Sequence, residues 1–398
     1  MGSGCTPFLT DAHTPIAANE ITPMRVMWPL ARAMSVTGVC ACWDAPTAPV
    51  RQTLWDVPIA HAGGADGAIA VFGGTLLAPM GPSGARMQAL DAATGASRWS
   101  SPMPSLDCAP YRVRVRNGVA FVASCGGATA YDAATGQISW TTRLPDHPNS
   151  PTPFAVDSVG LYLADRVEGL LSALDVSTGA RRWTWRDRSP VHGRPIDLHA
   201  TVAARGKVYV LGRRALDANR VVQGLIIEVD AATGIELRRF TTPDSGSDYR
   251  AGTFDGGRRL VLANLSRSGV DAFDLDAWQF AWRVRRTGAF VGPYADPTIS
   301  DGVVYAGWQH ADAVAIDLET GREIWSTGVR GGIWDVAACR NEVVVQHFAL
   351  TWLDRRTGRV RASNGFEGST EYPTSDLATD GERVYATSRG RAYAYRCE

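Results

Sequence analysis

Six of the seven histidines lie in or beside segments that read as connections between short β-strands: His61, His147, His192, His199, His310 and His347, with only His13 far upstream. Imidazole is the side chain that changes charge near neutral pH and the commonest protein ligand for transition metals. His199 is therefore the candidate general base, Asp335 or Asp296 the carboxylate that would orient it, and Arg250 the cation for an anionic group on a small or peptide substrate. His310 and His347 are the candidate metal ligands. Tyr111, Tyr249, Tyr294, Asp296, Trp334 and Tyr372 accompany them, and aromatic walls with a few convergent polar groups suit a small-molecule pocket. The competing expectation is a plugged channel whose tyrosines and charges satisfy one another, under loops that collect polar residues because they are long. The sequence contains no His-x-x-x-His, no Cys-x-x-Cys and no calcium-loop carboxylate spacing.

These residues share a neighbourhood only if the intervening elements put them there. The phrase "ALDAATGASRW" at 89–99 returns as "AYDAATGQISW", "ALDVSTGARRW" and "AIDLETGREIW". Aligned on Asp91, Asp132, Asp175, Asp230, Asp274, Asp317 and Asp354, it has a period near 40 residues, a propeller or solenoid signal. In Ala-x-Asp-x-x-x-Gly-x-x-x-Trp the Asp carboxylate accepts backbone N–H bonds in a tight turn, and Gly supplies the positive φ that ends it. Trp99, Trp140, Trp183, Trp282 and Trp325 then cover the gap between adjacent sheets.

Two alternating strands precede each phrase and two lie within it, which makes a four-stranded antiparallel blade. The last unit supplies only three strands, with Arg396 where Asp would stand, while "VRQTLWDVPI" at 50–59 has the outer-strand pattern with Trp55 in the docking place. The expected fold is all-β: an eight-bladed β-propeller over residues 50–398, closed by an N-terminal outer strand that removes an open sheet edge. Residues 1–49 are expected to be a poorly ordered arm or leader. Three units depart from the phrase, with Glu228 and Arg238, with Trp278, and with Trp352 and Ala362, and weaker seams are expected there. The innermost strands begin on one face, the top, where six histidines and the variable loops gather. The segment "GRRALDANRVVQG" at 212–224 should rise from that face as a plain surface excursion, with a protein contact or a lid over the channel as the functional alternative.

The phrase resembles the quinoprotein-type repeat of pyrroloquinoline quinone (PQQ) alcohol dehydrogenases and of the outer-membrane assembly lipoprotein BamB. That resemblance implies a propeller and, in the BamB-like case, a platform whose loops grip another protein without a catalytic group. The dehydrogenases hold the quinone under a ring formed by adjacent cysteines. This chain has no Cys-Cys pair, and Cys40-Ala41-Cys42 precedes the first blade, so PQQ catalysis is not expected. The leading expectation is a ligand- or protein-binding platform using the top face, with a top-face metal as the cofactor alternative.

Forty Lys+Arg balance forty Asp+Glu, which gives no electrostatic reason for a nucleic-acid partner. No run approaches the roughly 20 apolar residues that span a bilayer, and the chain is expected to act as a monomer. The stretch 24–42, with a basic start and an apolar body, reads as an export leader and favours a periplasmic or extracellular protein over a cytoplasmic one. Among seven cysteines, Cys108 and Cys125 flank a hairpin turning at Asn117-Gly118 and are the candidate disulfide, two reduced thiols being the alternative.

Overall fold

A computed structural model describes residues 48–59, 68–80, 85–104, 112–124, 126–147, 154–166, 168–188, 195–216, 221–286, 293, 296–308, 312–329, 331–365, 376–388 and 390–398. The leader reading of 24–42 and the Cys108–Cys125 pairing lie outside these residues. The described chain is all-β: thirty-two strands in eight four-stranded antiparallel sheets, arranged as the blades of a propeller. In chain order blades 1 to 7 comprise 70–102, 112–143, 154–186, 197–241, 249–285, 298–328 and 335–365. Blade 8 joins 378–396 to the N-terminal strand Thr53–Pro58, which pairs antiparallel with Arg391–Arg396. Trp55 stands opposite Ala394 there, so the expected closure strand and its docking tryptophan are both observed. No described helix is long and apolar enough to cross a membrane.

The phrase works as a seam. Asp91 Oδ1 accepts from Ala93 N at 3.0 Å and from Thr94 N and Oγ1 at 2.9 Å, and the same turn recurs at Asp132, Asp175, Asp230 and Asp354. Each tryptophan donates its indole N–H to the carbonyl just after the next blade's Asp. Trp55 reaches Ala92 at 3.1 Å, Trp99 reaches Ala133 at 3.2 Å, Trp140 reaches Val176 at 3.0 Å and Trp183 reaches Ala231 at 3.1 Å. Trp282 reaches Leu318 at 2.8 Å and Trp325 reaches Arg355 at 2.9 Å. The turn glycine serves twice. Gly136 has φ +74°, and a Cβ on it would lie 2.3 Å from the Trp99 ring. The Ala of the phrase faces the Trp across the sheet, as Ala89 faces Trp99 and Ala130 faces Trp140, so a small side chain leaves room for the indole.

The three departures were expected to weaken their seams, and instead each is compensated. In blade 4 the cross-strand pair is Glu228 with Arg238, ion-paired at 2.8 Å. Arg238 also donates to Leu275 O at 2.8 Å, the bond an indole makes elsewhere, and its guanidinium lies 3.9 Å from the centre of the Trp278 ring. Where Trp has become Arg, the facing Gly has become Trp, with φ +56°. In blade 7 the large and small partners exchange strands: Trp352 faces Ala362, is fully buried, and meets Tyr395 of blade 8 edge-to-face at 5.3 Å.

At that last seam a disulfide joins Cys339 of blade 7 to Cys397, the residue equivalent to Ala92 and Ala133, whose carbonyls accept the indole N–H elsewhere. Buried Arg51 adds ion pairs to Glu342 and Glu398. The apolar core is accordingly a ring of clusters, most of them straddling two neighbouring blades; one, for example, joins Tyr162 and Leu171 of blade 3 to Val210 and Leu225 of blade 4.

Candidate functional site

His199 and Arg250 hold equivalent irregularities in the innermost strands of blades 4 and 5. Leu198 pairs with Gly212 and Ala200 with Leu211, leaving His199 as the extra residue of a β-bulge. Tyr249 pairs with Asn264 and Ala251 with Ala263, which leaves Arg250 in the same role. A bulge interrupts the ladder and re-aims one side chain, and bulges concentrate next to functional sites.

The partner that meets both is Asp248, 1% exposed and not anticipated from the sequence. His199 Nε2 faces its Oδ1 at 3.4 Å, while Arg250 Nε and Arg213 Nη1 each donate to Oδ2 at 2.9 Å. Arg213 Nε also donates to Asp197 at 3.0 Å. Burial, followed by the charges of Arg250, Arg166 and Arg213, lowers the imidazole to about 2. The expected orienter, Asp335, is not brought to His199. It stands in blade 7, where its carboxylate accepts from Val336 N at 2.8 Å and Leu377 N at 2.6 Å. Burial, with Asp376 alongside, raises Asp335 well above the ordinary carboxylate range.

The channel wall gathers another charge cluster. Innermost strands of blades 1, 2, 6, 7 and 8 bound a cavity of about 540 Å³, and those of blades 2 to 6 bound one of about 500 Å³. Arg114 and Asp296 line both. Arg112 bridges Asp296 and Asp376, the latter at 2.9 Å, and Asp296 also accepts from Gly252 N at 3.2 Å. Burial opposes ionisation of Asp296, but Arg112 and Arg114 prevail and hold its carboxyl below the usual value. Asp296 and Asp335 both line the larger of these cavities.

Other expected wall residues are placed differently. Tyr249 is fully buried in the seam between blades 4 and 5, its hydroxyl donating to Asp271 at 3.1 Å, because alternation turns it away from the channel once Arg250 is bulged. Trp334 is half-buried and packs edge-to-face on Phe348 at 5.3 Å. Tyr111, Tyr294, Tyr372 and His310 lie outside the described residues. His347 Nε2 is 2.8 Å from Thr351 Oγ1, and His147 Nε2 is 2.8 Å from Ser172 Oγ. Among the described residues no group of three His, Cys, Asp or Glu is placed to hold a metal ion. The charges of the cavity wall are already committed to one another: Arg112 and Arg114 both face Asp296, and Arg112 also pairs with Asp376.

Fold and seam chemistry define an eight-bladed propeller of PQQ-type repeats. A family profile described as outer membrane protein assembly factor BamB matches residues 44–184, 83–234 and 168–396, and the chain belongs to this family. BamB from Moraxella catarrhalis has the same fold, with a TM-score of 0.63 at 17% identity over 87% of this chain and 100% of that one. A europium-containing methanol dehydrogenase aligns with a TM-score of 0.66 at 13% identity, over 87% and 93% of the two chains. Among curated sequences, the serine/threonine-protein kinases AfsK of Streptomyces griseus and Streptomyces coelicolor are 38% and 32% identical over 107 and 170 residues, 25% and 42% of this chain. The chain spans only 13% and 17% of those kinases' lengths.

Proposed function

We propose that this propeller is a protein-binding platform that works through its top face, without PQQ catalysis. The observation that carries the reading is the hairpin of blade 4. Its two strands, Lys207–Ala215 and Val222–Asp230, have nine residues each, against five or six in the equivalent strands of the other blades. Three further residues per strand extend the hairpin by about 10 Å. It carries Arg213, which shares Asp248 with Arg250 beside the bulged His199, and loops on a rigid scaffold are where recognition concentrates. Membership in the assembly-factor family supports the same reading. Cysteines joined across the closure seam support an oxidising, extracytoplasmic setting.

The enzyme alternative, His-centred acid/base or metal-assisted chemistry on a small or peptide substrate, draws on the bulged pair His199 and Arg250. It is disfavoured because an imidazole lowered to about 2 is a weak base at neutral pH. The test is in-cell crosslinking of the full chain against a variant whose blade 4 hairpin is cut to the six-residue length. Loss of a crosslinked partner with an unchanged thermal midpoint is expected. Retention of every partner overturns the hairpin as the contact, and a turnover abolished by His199→Ala would restore the enzyme reading.

A further inference from the structure

Three seams carry a second latch outside the tryptophan. Two residues beyond Trp99, Trp140 and Trp325, a hydroxyl donates to the next blade's turn glycine: Ser101 to Gly136 O at 2.5 Å, and Thr142 to Gly179 O and Thr327 to Gly358 O at 2.7 Å. Between blades 3 and 4 that position is Trp185. Its buried ring is too large for the latch, and its Nε1 donates instead to Glu236 Oε2 at 3.2 Å. A cavity of about 580 Å³ opens on the rim at this seam.

Its walls are cationic. Arg239 is neutralised, gripping Glu236 through two bonds of 2.9 and 3.0 Å and reaching Asp187 at 3.0 Å. The other three arginines are not so held. Arg214 donates to the neutral Gln223 Oε1, Arg186 approaches Glu168 only to 3.7 Å, and Arg188 has no ion-pair partner among the described residues. Exposed Ile235 supplies an apolar wall beside them.

We propose that this rim cavity binds a small phosphate or sulfate ester, its anionic head held by Arg186, Arg188 and Arg214 and its organic body against Ile235. Guanidinium forks match the oxygens of such groups bidentately, and the chain's zero net charge makes this local excess specific rather than general. The site shares Arg214 with the blade 4 hairpin, whereas Arg186 and Arg188 lie outside it.

Titration calorimetry with pyrophosphate, a hexose phosphate and a hexose sulfate tests it, using the full chain, Arg188→Ala, Arg186→Ala and Trp185→Thr. Arg188 and Arg186 are exposed and outside the blade 4 hairpin, so their loss separates this site from the platform. Saturable binding is expected, weakened roughly tenfold by either arginine change, an effect the size of one charge-assisted contact. Trp185→Thr, which restores the latch residue, should abolish it. No saturable binding to any probe overturns the proposal, as does binding that all three variants retain unchanged. Preference between the phosphate and the sulfate identifies the ester class.

Discussion

An imidazole pressed between a buried carboxylate and three guanidiniums should make folding sensitive to mild acid. His199 stands at about 2 in the folded chain against an ordinary 6.5, so below 6.5 the unfolded chain takes up a proton that the folded chain refuses. Its contribution is complete above pH 6.5 and is lost as pH falls toward 2, with a slope of up to about 1.4 kcal/mol per pH unit. Urea unfolding at pH 7 and pH 5 should show this loss in the wild type and a shallower one in His199→Asn. An equal loss in both would place the acid sensitivity elsewhere. His199 and Arg250 were legible in the sequence as residues near the top of innermost strands. Their common partner was not, because alternation along a strand assumes an unbroken ladder. One inserted residue reverses which face its neighbours occupy, and so Tyr249 turned into the seam and Asp248 met the histidine in place of Asp335.

At the scale of the strand pair, the repeat behaves as matched couples rather than as single conserved letters. Ala with Trp, Glu with Arg, and Trp with Ala are three solutions to one cross-strand position, and where Arg replaces Trp the turn glycine it meets changes to Trp278. This makes a prediction about blades 4 and 5. Arg238→Trp alone should destabilise, since the new ring meets Trp278 and leaves Glu228 unpaired. Adding Trp278→Gly and Glu228→Ala should recover most of the loss, because together they rebuild the common seam. Chemical denaturation of the single and combined variants should give a coupling of about 1–3 kcal/mol. Additive effects would mean that the three residues do not act as a unit. The sequence identified these positions as exceptions but not as compensations, since their partners lie on the next strand or blade, about 10 to 40 residues away.

For the whole molecule, the period near 40 and the orphaned outer strand at Trp55 made the eight-bladed ring readable, because each turn restates the same local physics. The closure disulfide was not readable. Cys339 and Cys397 are 58 residues apart, and nothing in either local pattern marks them as neighbours. Replacing Cys397 with Ala should lower stability by about 2–4 kcal/mol in denaturant titrations. Reductant should reproduce that loss slowly, since both sulfurs belong to residues only 2% exposed. A variant as stable as the wild type would leave the seam to Trp352 and Arg51 alone. The paired strands of blade 8 also set a timetable for synthesis. Asp56 leaves the ribosome 335 residues before Arg391, its partner across the sheet. At roughly 5–20 residues per second, that wait is on the order of tens of seconds. Throughout it the nascent chain carries an unpaired strand with an exposed indole, the kind of segment that chaperones hold, and the ring becomes a ring only when the last strand arrives to receive the first.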